Sequence, residues 1–207
     1  MKSLLNCYLP VFKTGVSFKL APEKHPEFTL FQQQIMTDIS RSMAAAEQYF
    51  AQGDCRSACF AVVVWFDELV LQSSPEWIDS WRRNLLQTRL FDTAIGGSDF
   101  FSRFEKINKK NWPLRQVYLF CLLLGFKGIY AWQDKNLLQQ RIAAERDCFP
   151  EEWQDAGATR LINVTASEGE SRLTRYAFFL NKPVLAGSVI FIYLIMVMSG
   201  LYLLKGV

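Results

Sequence analysis

The residues best suited to chemistry are two adjacent acids, Asp67 and Glu68, set late in the most apolar stretch of the chain, ACFAVVVWFDELVL. Carboxylates in such surroundings lose water, which costs free energy unless partners are supplied. Near a helix end they also face the negative pole of the helix dipole, at about 0.3–1 kcal/mol each. Three roles fit. The acids can pair with nearby bases such as Arg82, Arg83 or Arg115 as an internal lock. They can line a groove that receives a basic residue of a partner. They can form a paired-carboxylate acid/base centre, although no other part of an enzyme site is evident around them.

Other candidates for chemistry are sparse. Cys55 and Cys59 lie at i,i+4 and would share a helix face. A structural zinc takes about four ligands, yet no second cysteine pair exists and the single histidine, His25, sits in the loop PEKHPE as a solvated position. No GxSxG elbow, phosphate-binding glycine loop or HExxH helix is present. No metal or cofactor is therefore expected. The odd cysteine count, five, argues against a disulfide framework. The net charge of +3 is too mild for a nucleic-acid binder, and no basic stripe alternates with aromatics.

The elements that must position these residues read as helices. Phe28, Phe31, Ile35, Ile39, Met43 and Ala46 recur at helical spacing, predicting a helix over 28–51 that ends at Gly53. Asp54 then caps a second helix over about 55–71, apolar nearly all round and hence central; its Val62–Val64 run would also suit a strand. Ser74-Pro75-Glu76 reads as the start of a third helix over about 75–91, with Trp77, Trp81 and Leu85 on one side. After the Gly96-Gly97 break, Ser98-Asp99 opens a helix with Phe100, Phe101, Phe104 and Ile107 on its apolar face. Trp112-Pro113 begins another, too short to span a bilayer before the turn Gly125–Gly128. Asp134 caps a last helix that ends near Cys148. A weak strand pattern covers Val16–Leu20.

The chain closes on 21 uncharged residues, Val184 to Leu204. At 1.5 Å per residue such a helix is about 31 Å long, the thickness of a bilayer core. Arg160, Arg172, Arg175 and Lys182 precede it and Lys205 follows, which by the positive-inside rule keeps the N-terminal part in the cytoplasm. Met1–Leu20 contains Lys2, Asn6, Pro10 and Lys13, so no signal-peptide core forms. The expected organisation is a helical domain over 1–150, a polar linker and juxtamembrane segment over 151–182, a transmembrane anchor over 183–204, and a periplasmic tail over 205–207.

Three segments carry a resemblance: AVVVWFDELVLQSS, LFDTAIGGSDFF and QVYLFCLLLGFKGIY, the last followed by Leu137 and Arg141. In this order, with a terminal anchor, they resemble the TssL/DotU/IcmH family of bacterial secretion systems. The resemblance implies an all-α cytoplasmic domain of two small helical bundles at an angle, with a cleft between them, plus one C-terminal span through which copies dimerise. It implies no enzymatic activity, a place in the bacterial inner membrane, a TssM/IcmF-type membrane partner, and docking of the cytoplasmic baseplate of a type VI system. A type IVB (Dot/Icm) subunit stabilising IcmF is the nearest alternative. A tail-anchored enzyme built on Asp67 and Glu68, or on Cys55 and Cys59, is the alternative from another class. The expected partner-binding residues are Asp67, Glu68, Gly96, Gly97, Phe100, Phe101 and Lys127, and the resemblance favours the groove over the internal lock. Arg115 and Lys127 stand where many relatives have Glu, at what are expected to be surface positions.

Overall fold

The computed structural model describes residues 3–25, 27–133 and 135–149, and among these every regular element is a helix. The Asp134 cap, the linker 151–182, the anchor 183–204 and the tail 205–207 lie outside the described residues. Eight α-helices are described: α1 (Leu4–Leu20), α2 (Phe28–Glu47), α3 (Gln52–Ser73), α4 (Ile78–Arg83), α5 (Leu86–Phe91), α6 (Gly96–Lys106), α7 (Trp112–Leu123) and α8 (Lys135–Asp147). A 3-10 turn, Gly128–Trp132, joins α7 to α8.

Helix α3 is the axis. Its residues from Ala58 to Asp67 are all buried, because α1, α2, α4, α5, α6 and α7 all pack on it. A helix apolar on every side needs such a sheath, and the β-branched run Val62–Val64 yields to it. Hydrogen-bonded pairs Asp54–Asn111, Ser57–Tyr118, Ala61–Cys121 and Glu68–Lys127 ascend together, so α3 and α7 run parallel. Helices α1 and α2 are antiparallel, with Phe18 stacked on Phe31 and the Thr14 hydroxyl donating to Asp38 at 3.3 Å. Helix α8 returns along α7 and brings Phe149 onto Trp112. The buried apolar residues form one core cluster.

Several boundaries differ from the sequence expectation, each for a local reason. Residues 16–20 belong to α1, not to a strand. Ser3 caps this helix by accepting the Asn6 N–H at 3.2 Å. Leu4, Tyr8, Val11, Phe12, Gly15 and Phe18 form its buried stripe. Pro10 is tolerated inside it on the exposed side, at the loss of one backbone bond. Gly15 allows the close approach to α3: a Cβ there would lie 2.5 Å from the Trp65 ring. Helix α2 stops at Glu47, and Gly53 and Asp54 fall inside the first turn of α3. Asp54 accepts from Asn111 of α7. Ser74 is the left-handed cap of α3 (φ 46°), and the expected third helix is broken at Asn84–Leu85 into α4 and α5.

The stretch Trp112–Trp132 is apolar enough and long enough to cross a membrane by composition alone. It is a core element here: Leu114, Val117, Tyr118, Cys121 and Leu122 are buried, the helix ends at Leu123, and Gly125 (φ +97°) turns the chain away.

Candidate functional site

Neighbouring residues on an α-helix project about 100° apart, so Asp67 and Glu68 leave α3 in different directions. Each meets a different loop.

Asp67 is 1% exposed. Its Oδ1 accepts from Trp81 Nε1 at 2.9 Å and from the Leu86 backbone N–H at 3.1 Å. Its Oδ2 accepts from the Gln87 N–H at 2.8 Å. Leu86 and Gln87 open α5, where backbone N–H groups lack intrahelical partners, and Leu85 provides no side-chain cap. Asp67 is thus the cap of α5, delivered from another helix, and it explains the break between α4 and α5. Burial pushes its carboxyl up to about 6, against the opposing pull of the Gln87, Leu86 and Trp81 donors.

Glu68 points toward the end of α7. Its Oε1 accepts from the Lys127 N–H at 2.8 Å and its Oε2 from the Gly128 N–H at 2.8 Å, while Gln72 Nε2 donates to Oε1. These backbone groups open the 3-10 turn, so Glu68 caps it as Asp67 caps α5. Burial raises the Glu68 carboxyl, opposed by the same two amides. The turn enters through a Schellman closure of α7: Phe126 N–H reaches Cys121 O and Gly125 N–H reaches Leu122 O.

The Gly-Gly motif meets this turn. A Cβ on Gly128 (φ +50°) would fall 2.6 Å from Gly97 O, so two backbones touch where only glycine fits. A Cβ on Gly96 would strike Gln87 Oε1 at 1.9 Å. Gly96 therefore abuts Gln87, whose N–H Asp67 holds. Phe100 and Phe101 sit beneath, packed on Phe126 and Tyr130, ring centroids 4.3 and 4.9 Å apart.

Of the seven residues expected to meet a partner, Asp67, Gly96, Phe100 and Phe101 are buried. They build the scaffold under the turn. Glu68 and Gly97 are half-buried and Lys127 is exposed. The internal lock exists, but its partners are N–H donors instead of bases. Arg82 pairs with Asp79 at the surface. Arg115 is not the surface residue expected: it is 5% exposed and ion-paired with Glu145 of α8. His25 is half-buried against Phe31, ring centroids 4.8 Å apart, and its carbonyl accepts from Trp77 Nε1. Cys55 and Cys59 are buried in α3, and burial pushes both thiols up, Cys59 to about 12. Among the described residues no group of three or more His, Cys, Asp or Glu side chains is placed to hold a metal.

Sequence reasoning missed Gln87 and Glu145, and it placed Trp81 on a helix face without its bond to Asp67. A signal existed for Trp81, since a buried indole N–H needs an acceptor and Asp67 was the unmatched acid nearby.

Beside the turn, three apolar side chains stay in water: Ile95 (65% exposed), Ile129 (39%) and Trp132 (95%). In a 3-10 turn residues i and i+3 eclipse, so Ile129 and Trp132 share a face. Ile95 is two residues from Gly97, where a Cβ would lie 3.9 Å from the Ile129 backbone nitrogen. With Lys127 they form one rim.

The family model for the type VI secretion system protein DotU matches residues 3–204. The chain belongs to the DotU family. Members of this family are structural, inner-membrane-associated components of type VI secretion, working within a membrane complex. A solved structure, the cytoplasmic domain of TssL from Acinetobacter baumannii, is similar at 23% identity with a TM-score of 0.65; it covers 72% of this chain and 97% of that one. That likeness supports the all-α fold. Comparison with curated proteins found no match.

Proposed function

We propose that this DotU-family chain is a non-enzymatic, single-span scaffold subunit of the type VI membrane complex. Its helical domain faces the cytoplasm, and residues 183–204 anchor it, pair copies and bring it to a TssM/IcmF-type partner. The rim formed by Ile95, Lys127, Ile129 and Trp132 docks the cytoplasmic baseplate. The observation behind this reading is that both α3 acids are spent on capping, so that the Gly125–Trp132 turn is held rigidly beside Gly97 with Trp132 in water. Tryptophan is among the residues most enriched at binding hot spots. Glu68 and Gly97 act through the turn they hold, and Lys127 offers a cation to a partner carboxylate.

The test is affinity capture of the tagged full-length chain from its native membrane in mild detergent. The expected eluate holds a large IcmF-like membrane protein and baseplate proteins. Trp132→Ala with Lys127→Glu should remove the baseplate proteins and leave the membrane partner. A chain recovered alone, under conditions that preserve membrane complexes, contradicts the scaffold role.

A further inference from the structure

At the opposite end of α3 and α7 from the rim lies a concentration of positive charge that the docking role does not use. Arg103 and Lys106 close α6, and Lys109 and Lys110 follow in the loop before α7. Together with Asp54, Ser57, Asn108 and Asn111 the first two line an open concavity of about 350 Å3. Asp54 is engaged there, accepting from Asn111 Nδ2 at 3.1 Å on each oxygen. Glu105, next to Lys106 in α6, faces Arg141 at 3.5 Å. The Arg103 guanidinium rests on the Phe60 ring, 3.8 Å from its centroid. Lys106, Lys109 and Lys110 are exposed, with no carboxylate in ion-pair range among the described residues.

The chain leaves the described domain at this same end. Phe149, the last described residue, packs on Trp112, next to Asn111 in the chain. The buried Arg115–Glu145 pair fastens the second half of α8 to the first half of α7. Beyond Phe149 the sequence carries Arg160, Arg172, Arg175 and Lys182 before its charge-free stretch, interspersed with Glu151, Glu152, Asp155, Glu168 and Glu170.

We propose that the face formed by Arg103, Lys106, Lys109 and Lys110 docks on anionic phospholipid headgroups of the membrane that holds the chain. The inference deepens the anchored-subunit reading above and rests on it. Clustered Lys and Arg near an anionic leaflet are attracted within a Debye length.

The test uses the full-length chain reconstituted into vesicles of phosphatidylcholine alone, or with about a third phosphatidylglycerol. Lysines are acylated under limiting reagent and the sites quantified by mass spectrometry. Lys106, Lys109 and Lys110 should react about threefold or more slowly in the anionic vesicles, and high salt should remove the difference. Lys24 and Lys127 should react alike in both. Equal reactivity of the three lysines in both vesicles overturns the docking. So does protection conferred only by added polyglutamate, which assigns the face to an acidic protein. Resistance to alkaline carbonate reports the anchor separately. Retention with equal labelling sinks the docking alone; loss of the chain from both vesicles sinks the anchored reading and the docking with it.

Discussion

The two ends of α3 use charge in opposite ways. At the C-terminal end Asp67 and Glu68 are consumed inside the fold, each accepting backbone N–H groups that begin another element. At the N-terminal end, about 20 Å away along the helix axis, Lys106, Lys109 and Lys110 have no carboxylate in ion-pair range among the described residues, while Asp54 and Glu105 are engaged. The first end converts charge into loop geometry; the second presents charge to the outside. A motif of two acids in an apolar helix is therefore no sign of an open anionic groove. What reaches a partner at that end is what the acids position: Lys127, Ile129 and Trp132.

The largest expected effect falls on the ion pair that holds α8. Glu145→Ala leaves the buried Arg115 without a carboxylate among the described residues and should cost about 3–5 kcal/mol in urea unfolding of the full chain in detergent. A cost below about 1 kcal/mol would mean that α8 is not held by this pair.

Asp67→Ala comes next. It strands three N–H donors, each worth about 1 kcal/mol, so a loss of about 3 kcal/mol is expected. A small loss would show that α5 begins without a cap from α3.

Acidification probes the same group with a definite sign. The folded Asp67 carboxyl titrates near 6 and its ordinary value is 3.8, so the folded chain binds the proton more tightly. Its contribution to stability is fully present below 3.8 and is lost as the pH rises through about 6. Glu68 is shifted in the same direction. Stability should rise by up to about 3 kcal/mol between pH 7 and pH 4 from Asp67, and Asp67→Asn should flatten that rise. A native chain that loses stability steadily over this range, with the variant behaving identically, would contradict the burial described.

The smallest stability effect is expected at the rim. Lys127→Glu changes an exposed side chain and should alter stability by no more than about 0.5 kcal/mol, while weakening baseplate capture. If unfolding shifts by several times that amount, Lys127 belongs to the scaffold instead of the surface.

Much of the fold was legible because it rests on periodicity. The stripes of α2, α6 and α7, the centrality of α3, and the turn at Gly125–Gly128 follow from residue spacing. The misses share another cause. Helix α1 was hidden by Pro10, which lowers helix propensity locally but is accommodated on the exposed side. The split between α4 and α5 is set by Asp67, 19 residues before Leu86 in sequence, and no local pattern reports a cap supplied from another helix. The same applies at the site. Asp67 and Glu68 stood out because acids are unusual in so apolar a helix, and Gly96, Gly97, Phe100 and Phe101 joined them only through the family resemblance. Their roles were not legible, since only packing distinguishes a buried carboxylate held by amides from one open to a partner. Arg115 was misplaced for the same reason: its partner, Glu145, lies on a helix 30 residues away.

The most direct measurement is hydrogen exchange of individual amides in the full-length chain with Glu68→Gln or Asp67→Asn. If each acid holds its own loop, Glu68→Gln speeds exchange at Lys127 and Gly128 and spares Leu86 and Gln87. Asp67→Asn does the reverse. Exchange unchanged at both loops, or raised equally at both by either substitution, would contradict the assignment of the two acids as separate clamps.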